Sequence, residues 1–448
     1  MDKRTFLKTS GTLVTGSMLS RLLPGEEPDG ARKNWAGNYT FRARHLYRPK
    51  SVAEVQEIVK KAGKVKALGA KHSFNSIADS PDSQISLEHL TGMALDRKAR
   101  TVTVGGGVKY GQLAPYLDGE GFALHNLASL PHVTVAGACA TGTHGSGNHN
   151  GNLSSAVSAM EFVTANGDLA TLSRKRDGDR FSGAVVHLGA LGVATKVTLD
   201  VQPAYAMTQA VYENLSFAHL KDHLEEIFAS GYSVSLFTDW QGHRAEQVWI
   251  KRRIEGNNAP KPEPEFFGAK LATRKLHPVT GHPAEACTDQ MGIPGPWYER
   301  LPHFKMNFTP SSGDEIQSEY FVPRDRGYEA ILAVEKLRDR VTPHLFVTEL
   351  RTIDADDLWM SPCYRRPAMT IHFTWKPERE AVQKLLPQIE SQLAPFDPRP
   401  HWAKVFTLPR AQVRSRYARL RDYEALIHEY DPAGKFRNEF LGKHLLGG

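Results

Sequence analysis

The sequence predicts an α+β chain of two domains. Its 448 residues exceed one ordinary core at about 150 residues per domain. Short strand and helix patterns mix up to about residue 204. Near Pro203 the style changes to helical patterns at about 217–228, 328–341 and 378–393, alternating with strands. The expected units are a leader or disordered tail at 1–35, one domain at 36–204 and a second at 205–448.

In order, Ser51-Val52-Ala53-Glu54 is a capping box, and Val52, Val55, Ile58 and Val59 follow it at helical spacing. Residues 64–68 read as a strand ended by Gly69. Residues 101–104 form another, stopped by Gly105-Gly106-Gly107, and a helix is expected over 110–118. Strands at 162–165 and 169–172 flank Asn166-Gly167-Asp168, which predicts a hairpin with a type I′ turn. A strand follows at 193–201. In the second half, strands are expected at 234–237, 247–253, 317–322, 346–353 and 369–375, with a surface loop at 255–264.

Composition removes several function classes. The apolar fraction is 40% and the charged fraction 23%, which excludes collagen-like, disordered and coiled-coil chains. The net charge is +7, with no dense basic block, so nucleic acid is not implied. A modest positive field instead suits an anionic cofactor. Cys139, Cys287 and Cys363 are far apart, and neither a disulfide framework nor a thiolate zinc site is readable. No metal site is expected, and no apolar run reaches membrane-spanning length. The start, Lys3-Arg4 followed by a weakly apolar Gly/Ser/Thr-rich stretch, resembles a twin-arginine export signal with Lys-Arg in place of Arg-Arg; the bland alternative is a disordered tail of a cytoplasmic protein. Oligomeric state is unreadable.

Three clusters can carry chemistry. In Leu68-Gly69-Ala70-Lys71-His72-Ser73-Phe74-Asn75 a strand feeds a polar loop able to present N–H groups to a phosphate or flavin. His72 there offers a nucleophilic nitrogen, although a lone loop His is more often a plain hydrogen-bonding residue. In 128–147 small residues dominate, so backbone can approach a large ligand closely, but no strict GxGxxG supports a nicotinamide-type site. His144 and His149 have no matching carboxylate for a metal. On the strand 346–353, Glu349 and Arg351 share one face by period two, and on 369–375 so do Thr370, His372 and Thr374. A solvated sheet face would explain that pattern; the acid, guanidinium, imidazole and hydroxyls together also suit a polyol. Lys404 is expected within an aromatic strand at 401–406, either snorkelling or stabilising negative charge on a reduced flavin.

Asn34-Trp35-Ala36-Gly37-Asn38, the run 69–75, Ala128-Ser129-Leu130-Pro131-His132, Thr141-Gly142-Thr143-His144-Gly145-Ser146-Gly147 and the segment 234–240 resemble bacterial alditol (xylitol) oxidases. So does the segment 294–304, while Asp431-Pro432-Ala433-Gly434-Lys435-Phe436-Arg437-Asn438 is shared with sugar-lactone oxidase relatives. The resemblance implies a vanillyl-alcohol-oxidase-type fold. It has an N-terminal FAD-binding domain and a C-terminal substrate domain built on a large, mostly antiparallel sheet flanked by helices. It implies FAD bonded covalently to His72. The flavin pocket would use Ala67, Leu68, Gly69, Ala70, Lys71, Ser73, Ser129, Thr134, Gly137, Thr141, Gly142, Thr143, His144, Ala194 and Lys404. Ser129, Glu349, Arg351 and Thr374 would hold the polyol. Ala70-Lys71 departs from the small residue and Gly of relatives.

The expected reaction is oxidation of the terminal CH–OH of an alditol, with hydride passing to flavin N5 and dioxygen reduced to hydrogen peroxide. The catalytic set is His372, Arg351, Lys404 and Glu349. His372 is the candidate base, by its face and its near-neutral pKa class. The rivals are a sugar-1,4-lactone oxidase or dehydrogenase on the same scaffold, and a non-catalytic flavin- or carbohydrate-binding protein.

Overall fold

The computed structural model describes residues 32–256, 259–308 and 314–447; the leader predicted at 1–35 lies outside the described residues up to residue 31. Ser51 starts the helix Val52–Lys61, its Oγ accepting from Glu54 N–H at 3.2 Å. The Glu54 carboxylate accepts from Lys50 N–H instead of closing the box. Val55, Ile58 and Val59 pack with Val65 and Ile85 of a parallel sheet ordered His45–Tyr47, Ser83–Ser86, Val65–Leu68.

A five-stranded antiparallel sheet follows, ordered Met93–Asp96, Thr101–Gly105, Val193–Asp200, Val157–Val163 and Leu169–Ser173. Its last hairpin does not use a type I′ turn. That turn needs positive φ at both central residues, and only Gly167 has it, at +81°. Gly167 N–H donates to Thr164 O and Thr164 N–H to Asp168 O, so the glycine closes a longer loop.

Every strand of the large sheet lies between 206 and 400. Its central strands run Ala206–Ser216, Arg244–Arg253, Ser233–Thr238, Leu345–Ile353, Ala368–Trp375 and Ile316–Pro323, each antiparallel to its neighbour. The first of these escapes sequence reading because most of it is buried on both faces, which erases the alternation. Met369, Ile371, Phe373 and Trp375 form one apolar core with the helices Gly327–Glu335 and Arg379–Leu393. The helix expected over 328–341 is two. Leu337, at φ −96° and ψ 6°, leaves helical geometry, packs on the core and precedes Arg338–Val341.

The strand expected at 401–406 is absent; Arg399–Pro400 forms the ladder with the sheet, and beyond it only the N–H groups of His401 and Val405 reach the carbonyls of Glu319 and Gln317. Residues 402–404 are held by the 69–75 loop instead. Phe74 N–H donates to Ala403 O at 2.7 Å, and Asn75 Nδ2 donates to the carbonyls of Trp402 and Lys404 at 2.9 and 2.7 Å. The C-terminal segment also returns to the first sheet. Val65 N–H donates to Lys435 O, and Asn438 Nδ2 donates to Ser76, Ile77 and Asp79 carbonyls. Asp431 accepts from the N–H groups of Lys435 and Phe436, which shapes that turn. Among the described residues no helix is long and apolar enough to cross a membrane.

Candidate active site

One cavity runs from the 66–74 loop to the polar face of the large sheet, enclosing about 1760 Å³ of empty space with its open mouth included. A Cβ on Gly69 would come 2.7 Å from Thr134 Oγ1, and one on Gly137 would come 2.8 Å from the same atom. Two segments therefore meet backbone to side chain, leaving the space in front of them to a ligand. Ala67, Leu68, Gly69, Ala70, Lys71, His72, Ser73, Ser129, Thr134, Gly137, Thr141, Thr143, His144 and Ala194 line the cavity. Gly142 does not. Its φ of +65° turns the chain behind the wall, where a Cβ would meet Pro362 at 3.1 Å.

His72 stacks on Trp35 at 4.9 Å between ring centroids, and His132 lies 6.5 Å away. Burial, then the charges of His132 and Lys109, push its pKa down to about 3, so the ring is neutral. Its Nδ1 is buried with no hydrogen-bond partner. Lys71 stands at φ +63°, the left-handed region that favours glycine. Lys71→Gly is expected to raise stability by roughly 0.5–1 kcal/mol with flavin loading unchanged, as read by thermal melting of the loaded protein; a lower melting point would mean the lysine side chain is needed there.

At the other end the sheet register builds a polar row. Glu319 pairs His372, and His372 pairs Glu349, across three adjacent strands. Gln317, Thr374 and Val347 form the next row, and all six line the cavity. Arg351 spans the acids: Nη2 donates to Glu319 Oε1 at 2.8 Å, and Nε lies 3.5 Å from Glu349 Oε2. Its Nη1 reaches Ser129 Oγ at 3.4 Å. Lys404 Nζ donates to Glu319 Oε2 at 2.8 Å, and the partly buried side chain lines the cavity, so it does not snorkel. His144 Nε2 lies 3.2 Å from Glu319 Oε1. Burial opposes charge on Glu319, but Lys404, His144 and Arg351 hold its carboxyl well below the usual range. Glu349 is likewise held low, against burial, by Arg351 and His303.

Both ring nitrogens of His372 are buried without hydrogen-bond partners, and Glu349 Oε2 is 3.6 Å from Nδ1, too long for a bond. Burial, then Lys404, lowers its pKa to about 4. The near-neutral titration expected from its residue type is therefore corrected downward by desolvation. Thr370 shares the face but does not line the cavity.

Sequence reading missed three members of this set. Glu319 lies at the hub; its signal was an acid two residues from Gln317 on the strand expected at 317–322. His303 donates Nε2–H to Glu349 Oε1 at 2.7 Å from a loop, and Lys251 stands behind it at 3.1 Å. Neither belongs to a periodic pattern with Glu349. His144, Glu319 and His401 bring potential metal-ligand atoms within 4.8 Å of one another. Glu319 is already paired with Arg351 and Lys404, whose charges repel a cation.

The cavity fits a flavin: a glycine-lined cradle, an orphaned imidazole nitrogen at one end and unpartnered imidazole atoms at the other. Residues 43–173 match the FAD binding domain family, and residues 309–444 match the D-arabinono-1,4-lactone oxidase family. A solved structure of a solvent-stable cholesterol oxidase superposes with a TM-score of 0.75 at 15% identity, covering 94% of this chain and 98% of that one; this likeness is one of fold. Fold and site together define an FAD-dependent oxidoreductase of the two-domain, vanillyl-alcohol-oxidase type. L-gulonolactone oxidase of Mus musculus is 27% identical over 92% of this chain and 97% of the relative. Alditol oxidase of a Streptomyces species is 48% identical over 419 residues, 93% of this chain and 99% of the relative. The chain belongs to the alditol oxidase family.

Proposed function

We propose that this protein oxidises the terminal CH–OH of alditols such as xylitol and sorbitol to the aldose, with FAD joined covalently to His72. The reading is carried by the buried row Glu319, His372 and Glu349, flanked by Arg351 and Lys404, on the wall of the cavity that begins at His72. When bound, FAD supplies the redox chemistry, accepting hydride from the alcohol carbon and passing electrons to dioxygen to give hydrogen peroxide.

The chain's own residues orient the alcohol and manage its proton. Ser129, Arg351, Glu349 and Thr374 offer donors and acceptors to successive hydroxyls. His372, neutral and unpartnered, takes the hydroxyl proton, and the Glu349 carboxylate beside it stabilises the imidazolium that results. Lys404, held by Glu319, places positive charge at the wall. A base with pKa about 4 is competent above that value, so kcat/KM should fall only as pH drops through about 4. His372→Asn should abolish that acid limb and lower kcat by about 10²–10⁴-fold; a pH–rate profile identical to the parent's would remove His372 as the base.

The match of residues 309–444 to the D-arabinono-1,4-lactone oxidase family keeps a lactone substrate as the second reading. Anaerobic addition of xylitol, and separately of an aldonolactone, decides between them. Bleaching of the flavin absorbance by xylitol at lower concentration is expected; bleaching by the lactone alone would reverse the assignment. We also propose export of the folded protein by the twin-arginine route. A reporter fused to residues 1–35 that never leaves the cytoplasm would refute this.

A further inference from the structure

We propose that Lys251 and His303 form, with Glu349, a buried positioning relay that fixes one tautomer of His303 and thereby aims a single Glu349 oxygen at the substrate. The inference rests on the polyol reading above and assigns two residues that the reaction does not otherwise use.

The argument is one of donors and acceptors. Burial lowers the Lys251 pKa to about 7, and below that value its ammonium has three N–H donors. Three acceptors surround it: the Leu301 carbonyl, the Pro302 carbonyl at 3.4 Å and His303 Nδ1 at 3.1 Å. His303 must therefore show a lone pair at Nδ1, which puts its proton on Nε2. That proton faces Glu349 Oε1 at 2.7 Å. The ring cannot swing away, since Phe237 and Trp249 meet it edge-on at 5.5 and 5.2 Å. His303 N–H also donates to the carbonyl of Ser129, tying the loop to the polyol set.

The consequence falls on Glu349. With Oε1 bonded to His303, Oε2 is the oxygen left beside Arg351 Nε and His372 Nδ1, at 3.5 and 3.6 Å. It is the oxygen a substrate hydroxyl would meet. The charged groups facing His303 are Lys251 on the strand Arg244–Arg253, and Glu349 and Arg351 on Leu345–Ile353. Cys287 faces Lys251 from the far side. Burial and then Lys251 lower the His303 pKa to about 4, so the ring stays neutral in the working range.

Lys251→Met removes the donor that holds the lone pair at Nδ1, leaving the Glu349 carboxylate alone to favour the Nε2 proton. Above its pKa, His303 can then carry its proton on Nδ1 and turn a lone pair on Glu349. Below it, both nitrogens are protonated and the bond to Glu349 returns. Removing the Lys251 charge also raises that pKa toward neutrality. The flavin-loaded variant should show at pH 8 a xylitol KM about tenfold above that of the parent below pH 7, the loss of one hydrogen bond to a charged group. The KM should recover as pH falls toward 5.5, and kcat should fall less than KM rises. The parent KM should be flat from pH 5.5 up to about 7, where Lys251 keeps its charge.

Nitrogen NMR of the labelled, flavin-loaded parent should show His303 protonated at Nε2. A parent protonated at Nδ1, or a Lys251→Met enzyme with a pH-independent KM, would overturn the relay. Should that variant not fold, His303→Gln, which keeps an N–H for Glu349, is expected to retain a KM about tenfold below that of His303→Leu; equal values would overturn it. A parent that turns over no alditol sinks the substrate reading instead, and the tautomer measurement still judges the relay.

Discussion

Arg351→Met is expected to lower both the stability of the fold and the catalytic efficiency. The guanidinium joins two carboxylates, Glu319 and Glu349, that are both buried and both held ionised. Removing it leaves buried acid charge short of its counter-charge, which destabilises a fold by about 3–5 kcal/mol. The loss has a pH signature. Carboxyls with depressed pKa stabilise the fold above the ordinary carboxylate range, and that contribution is lost as pH falls through their lowered values. The variant should therefore differ most from its parent at pH 7 and least near pH 3 in thermal melts. Catalysis suffers separately, since the guanidinium also reaches Ser129 Oγ. A drop in kcat/KM for xylitol of about 10²-fold follows from one or two charged hydrogen bonds. Parent-like efficiency together with a parent-like melt at pH 7 would exclude Arg351 from the site.

His72→Ala is expected to change the flavin from fully retained to fully released when the protein is precipitated with acid. The imidazole is neutral at working pH because burial and the neighbouring His132 and Lys109 disfavour its charge. A neutral ring with an unpartnered Nδ1 is a nucleophile held ready against Trp35. Once the nitrogen is removed, only non-covalent contacts from the 66–74 loop and the segment 128–144 remain. Such a variant should still bind FAD and turn yellow, but acid should send the colour to the supernatant. Flavin in the supernatant of the parent itself would end the covalent assignment, and flavin in the pellet of the variant would move the bond to another residue.

These two experiments probe parts of the molecule that differ in how visible they were beforehand. Glu349 and Arg351 sit two apart on a strand, so local geometry alone aims them at one face. His372 and Thr374 share a face for the same reason. The loop at 69–75 declared itself by a strand ending on glycine. Its partner at 402–404 looked like a strand because it is aromatic, yet Phe74 and Asn75 capture its carbonyls and bend it into a turn. The hairpin at 164–168 had the right residues for a tight turn and adopted a wider one.

The sequence by itself determined which strand faces are polar, where the flavin loop begins and which family motifs are present. Each of these depends on neighbours within a few residues, and side-chain alternation is a local property of the backbone. Only the tertiary structure decided that the polar faces meet in one cavity. Strand register brings Glu319, His372 and Glu349 into one row, although 30 residues separate Glu319 from Glu349. A loop return sets His303 against Glu349 and Lys251 against His303. Burial then shifts the histidines far below their ordinary titration, because water that would stabilise their charged forms is excluded by groups distant in the chain.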